Sequence, residues 1–161
     1  MTPNEREALM HLALDYLRES TSDGGVTGVD AADIPVAALV VDGTGEIIGR
    51  GVNTRTATGD PTAHAEVNAL REAAERRGEW HLDECTLVVT LEPCTMCAGA
   101  ILNARIKTLI FGAFEPKTGA VGSVIDVLRE GPDHHPMEII GGVLVEEAAA
   151  PLREFFARRR G

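Results

Sequence analysis

Two short runs, Asp60-Pro61-Thr62-Ala63-His64-Ala65-Glu66 and Leu91-Glu92-Pro93-Cys94-Thr95-Met96-Cys97, lie about thirty residues apart, and the rest of the chain is organised around them. The imidazole of His64 and the thiolates of Cys94 and Cys97 form a set of three ligands suited to Zn²⁺. Three protein ligands, rather than four, leave one coordination position for water. The two runs therefore predict a site for hydrolysis that holds one zinc ion per chain.

The first run predicts a helix that begins beside the metal. Residues at i and i+2 of a helix point about 200° apart, so His64 and Glu66 can face one site only from a helix N-terminus. Thr62 is a candidate N-cap, and apolar residues recur after it at helical spacing, which predicts a helix over 63–77 that Gly78 ends. Glu66 would then lie beside the metal without binding it, free to act as a base.

The second run predicts another helix N-terminus at the same place. Pro93 suits the first turn of a helix over 94–104, in which Cys94 and Cys97 are neighbours on one face. The partial positive charge of a helix N-terminus favours thiolate over thiol. We therefore expect the two cysteines to be readily ionised.

Each half of the pattern has a simpler explanation when taken alone. A Cys-x-x-Cys pair is equally typical of a structural zinc knuckle or a redox pair, and an isolated His-x-Glu is common by chance. A structural zinc site needs a fourth protein ligand; the candidates are Cys85, His81, His11 and the pair His134 and His135. Cys85 is more typical of a small buried residue. Water therefore remains the better fourth ligand.

Composition predicts one globular domain over residues 1–161. The chain is 44% hydrophobic but only 4% aromatic, as in a compact α/β protein built from Ala, Val, Leu and Ile. Its N-terminus is polar and it has no apolar run of membrane length, so we expect a cytoplasmic protein that does not contact membranes. The net charge of -10 argues against non-specific nucleic-acid binding, yet residues 151–161 carry four arginines against one glutamate.

Apolar periodicity predicts alternating helices and strands. A strand, helix, strand unit over 86–112 implies parallel pairing, so we predict a three-layer α/β/α fold with a mixed central sheet of about five strands. The loop Ser20–Asp33 is rich in Gly and small polar residues, and Pro151 should kink the last helix or restart it. The predicted elements are a first helix ending near Glu19, strands over 34–41, 46–52, 86–91, 108–112 and 137–142, and further helices over 63–77, 94–104, 124–129 and 145–160.

The pattern His-Ala-Glu followed by Pro-Cys-Thr-Met-Cys resembles the zinc-dependent nucleobase deaminases. Between residues 34 and 156 the chain is similar to the bacterial tRNA-specific adenosine deaminases, and the runs 60–66, 90–100 and 117–123 carry much of the similarity. The resemblance implies a cytidine-deaminase-like fold and a homodimer. It also implies hydrolytic conversion of adenosine to inosine, most often at the wobble position of a tRNA anticodon.

The resemblance assigns roles to individual residues. It implies that Glu66 is the proton shuttle, which leaves Glu92 a structural or supporting role. Asn53 taken alone is more typical of a turn; the resemblance places it against the base. The full set of implied substrate contacts is Asn53, Pro35, Ala63, Glu115, Phe156, Arg158 and Arg159. Two alternatives stay open: a deaminase of a free nucleobase or nucleoside such as guanine or cytosine, and a zinc-stabilised binding module.

Overall fold

The structure is a computed structural model that describes residues 1–21, 31–131 and 135–160. The central part of the predicted Gly-rich loop, residues 22–30, lies outside the described residues. Its elements in chain order are α1 (Pro3–Thr21), β1 (Ala37–Val41), β2 (Ile47–Val52), α2 (Arg55–Thr58), α3 (Ala65–Arg77), β3 (Thr86–Leu91), α4 (Thr95–Asn103), β4 (Thr108–Ala113), α5 (Val127–Glu130), β5 (Glu138–Ile140) and α6 (Val145–Arg160).

The five strands form one mixed sheet in the order β2-β1-β3-β4-β5. β1 pairs antiparallel with both β2 and β3, whereas β3, β4 and β5 pair parallel. A five-residue connection, 42–46, which includes Gly45 at φ 93°, joins β1 to β2, and α4 forms the crossover between β3 and β4. The predicted mixed sheet of about five strands is confirmed.

Helices cover both faces of the sheet, because successive residues of each buried strand point to opposite sides. Leu39, Val88 and Ile110 form one cluster with Met10 and Leu14 of α1. Their strand neighbours join a larger cluster on the other face, which includes side chains of α3 and α4. Each fully buried side chain of this size contributes about 1.5–3 kcal/mol to stability. The two clusters are the two interfaces of the predicted α/β/α arrangement.

Two glycines in β2 let α3 lie very close to the sheet. A Cβ atom on Gly49 would sit 2.3 Å from the Ala69 carbonyl oxygen, and one on Gly51 would sit 2.3 Å from that of Ala65. Ala65, Ala69 and Ala73 are fully buried along the same helix face. The depth at which α3 packs is therefore set by missing side chains on β2 and small ones on α3.

Several predicted boundaries are wrong by one to three residues. α3 begins at Ala65 and not at 63, because Thr62 does not cap it: the amide and hydroxyl of Thr62 both donate to Asp60 Oδ1, at 2.8 and 2.7 Å. α4 begins at Thr95 and not at 94. α6 is one continuous helix, so it does not restart at Pro151. Gly78 ends α3 in the left-handed conformation, as predicted.

Two further features bear on the sequence predictions. The short helix α2 was not predicted, and its amides at Thr56 and Ala57 donate to the carboxylate of Asp33, at 2.7 and 3.0 Å. Among the helices of residues 1–21, 31–131 and 135–160, none combines the length and apolarity that a bilayer span requires.

Candidate metal centre and active site

The three predicted ligands converge on one point. Nδ1 of His64 lies 3.6 Å from Sγ of Cys94 and 3.5 Å from Sγ of Cys97, and the three ligand atoms all lie within 4.8 Å of one another. Bonds of about 2.3 Å to sulfur and about 2.0–2.1 Å to nitrogen, at a tetrahedral angle, place those two atom types about 3.6 Å apart. The spacing is thus the one that a tetrahedral zinc ion requires, and two thiolates with an imidazole are ligands that zinc accepts.

Helix N-termini position all three ligands. His64 is the N-cap of α3 and Cys94 the N-cap of α4, and both have extended backbone conformations, with ψ near 156° and 179°. Cys97 lies in the first turn of α4 and is fully buried. Neither N-cap side chain bonds to the start of its own helix, so both are available to a metal.

The proton distribution among the ligands fits metal binding. A hydrogen bond from the Cys97 thiol, supported by one from His64, lowers the pKa of Cys94 to about 4. The same pairing with Cys94 raises the pKa of Cys97, which keeps its proton. A metal ion that binds both sulfurs must displace that proton, so metal uptake should release protons.

Glu66 stands next to the ligands. It lies in the first turn of α3 and is only 5% exposed. Burial raises the pKa of its carboxyl to about 7. Among the residues that the structure describes, the group able to hold a metal consists of His64, Cys94 and Cys97, so Glu66 adjoins that group without belonging to it.

Three of the predicted substrate residues lie together on the His64 side of the site. The Asn53 side chain donates to the carbonyl of Ile34, beside Pro35, and accepts from the amide of Arg55, both at 3.2 Å. The next residue, Thr54, donates its amide to the carbonyl of Ala63 at 3.0 Å. Asn53 is 9% exposed and its side chain is held in place by these bonds.

Glu115 lies beside Glu92, which is two residues before Cys94. Its amide donates to Oε1 of Glu92 at 3.0 Å, and its side chain accepts from the amide of Lys117 at 2.9 Å. Glu92 immediately precedes the Pro93–Cys94 turn. The loop after β4 therefore borders the turn that carries a predicted ligand.

The predicted substrate residues of α6 are connected to the rest of the site through intervening residues. Phe156 is 46% exposed and stacks edge-on against Phe155, which is buried. The guanidinium of Arg159 lies 4.7 Å from the Phe155 ring centre and donates to the carbonyl of Ala31 at 3.5 Å. Arg158 is exposed in the last turn of α6. Ala31 is two residues before Asp33, which binds the amides of α2, so the end of α6 lies on the α2 side of the molecule.

The sequence matches a family whose description includes a zinc-binding region, in agreement with the spacing of the three candidate ligands. Residues 3–113 match the family model described as the cytidine and deoxycytidylate deaminase zinc-binding region. The chain is 45% identical over 154 residues to the tRNA-specific adenosine deaminase of Haemophilus influenzae, an alignment that covers 96% of this chain and 84% of that protein.

Two groups of solved structures share the fold. One comes from work on A-to-I editing by tRNA:A34 deaminases at the wobble position of transfer RNA; it has a TM-score of 0.78 and 38% identity and covers 90% of this chain and 99% of its own. The other is a guanine deaminase from Nitrosomonas europaea, with a TM-score of 0.76 and 27% identity, covering 94% of this chain and 84% of its own.

Proposed function

Because the chain belongs to the cytidine and deoxycytidylate deaminase family and is similar over nearly its whole length to tRNA-specific adenosine deaminases, we propose that it deaminates adenosine to inosine in tRNA, at the wobble position of the anticodon. One observation carries the chemistry: a His64, Cys94 and Cys97 group with the spacing of tetrahedral zinc ligands, beside the buried, unliganded Glu66. The identity to adenosine deaminases that act on tRNA supports the substrate.

In this mechanism His64, Cys94 and Cys97 would hold one zinc ion, whose role is to activate a water molecule as a Lewis acid. Glu66 accepts a proton from the attacking water and passes it to the ring nitrogen next to the reacting carbon. Glu66 then takes the proton from the hydroxyl group that the water has left on the carbon and delivers it to the departing amine, so both protons of the water are used. A carbon–oxygen bond forms, the carbon–nitrogen bond to the amine breaks, and ammonia leaves inosine behind.

Residues around the centre would hold the flipped base. We assign Asn53, Pro35 and Ala63 to one side of the base, since their segments are tied together by hydrogen bonds next to His64. Glu115 would stand on the other side, and Phe156 at the entrance, where an exposed ring can stack on a neighbouring base. Amides near Ala65 and the Pro93–Cys94 turn would help to orient the ring.

A free nucleobase is the second candidate substrate, because the guanine deaminase of Nitrosomonas europaea has the same fold. Its 27% identity is well below the 45% of the tRNA-specific relative, which favours tRNA. A binding module is disfavoured by family membership and by Glu66, since a structural zinc site has no use for a buried carboxylate that does not bind the metal.

We expect the protein to convert adenosine to inosine in an anticodon stem-loop and to leave guanine, cytosine and cytidine unchanged. Inosine formation is measured by nuclease digestion and chromatography, and ammonia release from the free compounds by a coupled assay. Turnover of a free base with none of the stem-loop would overturn the tRNA assignment and leave deamination intact.

The same preparation can test two further parts of the proposal, a homodimer and a cytoplasmic location. Exposed apolar side chains near the site support a subunit contact: Phe114, Val124 and Ile125 are 54%, 53% and 49% exposed. A solution mass of twice 17.1 kDa would agree with a homodimer. The cytoplasm is where tRNA is modified in bacteria, and cell fractionation would test the location.

The arginines at the end of α6 provide a separate test of a polynucleotide substrate. Cations at the rim of a pocket strengthen binding of a polynucleotide by contacting its phosphates, whereas a free base has no phosphates to contact. Replacing Arg158, Arg159 and Arg160 with alanine should weaken stem-loop binding and flatten its salt dependence. Each lost phosphate contact should lower the log–log slope by about 0.7–0.9.

A matched triple variant removes the same charge elsewhere. Arg76, Arg105 and Lys107 are exposed and lie at or after the C-terminal ends of α3 and α4, whereas the metal ligands lie at the N-terminal ends of these helices. Their replacement with alanine should leave the slope near that of the parent. If the two triple variants show the same dependence of log affinity on log salt concentration, the arginines at the end of α6 do not contact RNA.

A further inference from the structure

Glu92 is a buried carboxylate whose partners all come from one loop. It is 2% exposed. Its Oε1 accepts from the amide of Glu115 at 3.0 Å and from the hydroxyl of Ser123, and its Oε2 accepts from the amides of Val121 and Ser123, both at 3.1 Å. The loop of residues 115–123, which we call the β4 loop, thus surrounds the carboxylate with four donors.

Backbone dipoles, and not a cation, balance this charge. Within residues 1–21, 31–131 and 135–160, the ion pairs include none that involves Glu92. Several amides directed at one anion stabilise it only while the loop keeps the conformation that directs them there. The carboxylate and the shape of the β4 loop therefore depend on each other.

The β4 loop is also bound to the turn that carries Cys94. The amide of Ala120 donates to the carbonyl of Pro93 at 2.9 Å. Next to it, a Cβ atom on Gly119 would lie 2.5 Å from the Glu92 carboxyl carbon and 2.5 Å from the Glu115 carbonyl oxygen. Only glycine allows the loop to approach so closely, so the loop and the turn pack as one unit.

This unit lies where an α/β sheet binds ligands. β3 and β4 are parallel neighbours, so Glu92, which follows β3, and the β4 loop meet at the same edge of the sheet. Substrates bind at the carboxyl ends of such strands. We propose that Glu92 is a positioning residue: it holds the β4 loop against the Pro93–Cys94 turn as a fixed wall of the RNA-binding pocket. The substrate class in this proposal rests on the proposed function.

Glu92→Gln tests the proposal at constant size. The amide of glutamine can accept on one side only, so two of the four donors would face an NH₂ group. We expect kcat/KM for an anticodon stem-loop to fall by about 10–100-fold, chiefly through KM, with zinc content unchanged. Gly119→Ala, which blocks the same approach from the loop side, should match it. Ser123→Ala, which removes only the hydroxyl donor, should cost a few-fold and stays informative if the other two variants fold poorly.

Amide hydrogen exchange gives a readout that does not require activity. In Glu92→Gln the amides of Glu115, Val121 and Ser123 should exchange at least about tenfold faster than in the parent, because their acceptor is lost or weakened. Glu84→Gln is the control, since Glu84 is exposed and its side chain pairs with Lys107. Unchanged protection at these amides would overturn the proposal, as would a variant with lowered thermal stability but parental KM. A parent protein that deaminates no RNA would instead contradict the proposed function, and the exchange data would still decide the role of Glu92.

Discussion

Replacing Glu66 with alanine should abolish deamination of an anticodon stem-loop while the protein keeps one zinc ion per chain. Glu66 adjoins the His64, Cys94 and Cys97 group without belonging to it, so its loss removes the proton carrier and leaves the metal ligands in place. General acid–base catalysis contributes about 10²–10⁴-fold, and here one carboxylate is assigned both proton transfers, so a loss at the upper end or beyond is expected. Single-turnover inosine formation and elemental analysis measure the two quantities.

Two further variants separate this effect from damage to the fold. Glu66 is only 5% exposed, so alanine leaves a small cavity; Glu66→Gln keeps the volume and should be equally inactive. Glu75→Ala changes an exposed glutamate on the same helix and should retain full activity. Appreciable turnover by Glu66→Gln would return Glu66 to a structural role.

Removing a metal ligand should cost both the metal and stability. Cys94→Ser and His64→Ala should lose zinc, because two remaining ligands cannot compensate for the third. A ligand present at 1,000 times its dissociation constant stabilises the native state by about 4 kcal/mol, and a domain of this size loses about 2–4 °C per kcal/mol. We therefore expect the melting temperature to fall by roughly 10 °C, and chelation of the parent to have the same effect.

The third cysteine provides the matched control. Cys85 is fully buried, away from the ligands, and its sulfur accepts a hydrogen bond from Arg77 at 2.9 Å, which a serine oxygen can also accept. Cys85→Ser should therefore keep one zinc ion per chain. Active parent protein without metal would refute the assignment of the centre, and so would Cys94→Ser with a full zinc content.

The ligand set could be predicted because it is local. His64 and Glu66 are two residues apart and Cys94 and Cys97 three, so short-range helix geometry decides how each pair is presented. Only the meeting of the two pairs is a long-range event, and the number and type of ligands implied it. The alternation of strands and helices predicted the layers for a similar reason.

Hydrogen bonds made by side chains explain the features that the sequence did not predict, and most of these bonds are long-range. α2 has only four residues, and the carboxylate at its start comes from Asp33, more than twenty residues earlier. The first residue of α3 was misplaced because Thr62 bonds to Asp60 and not to the helix. The partners of Glu92 lie 23 to 31 residues away, so nothing next to it in the sequence indicates them.

Gly49 and Gly51 should be sensitive to substitution, because α3 packs closely on both of them. They fix the depth of α3, which begins directly after His64, while Cys94 and Cys97 lie at the start of α4. A side chain at either glycine would push α3 away from the sheet and so displace His64 relative to the two cysteines. In a saturation-mutagenesis map these two positions would therefore tolerate as little as the ligands themselves, although a glycine has no group to offer metal or base. Sensitivity to substitution would therefore not by itself identify a residue as catalytic. Libraries designed to widen the substrate range should leave Gly49 and Gly51 of β2 unchanged.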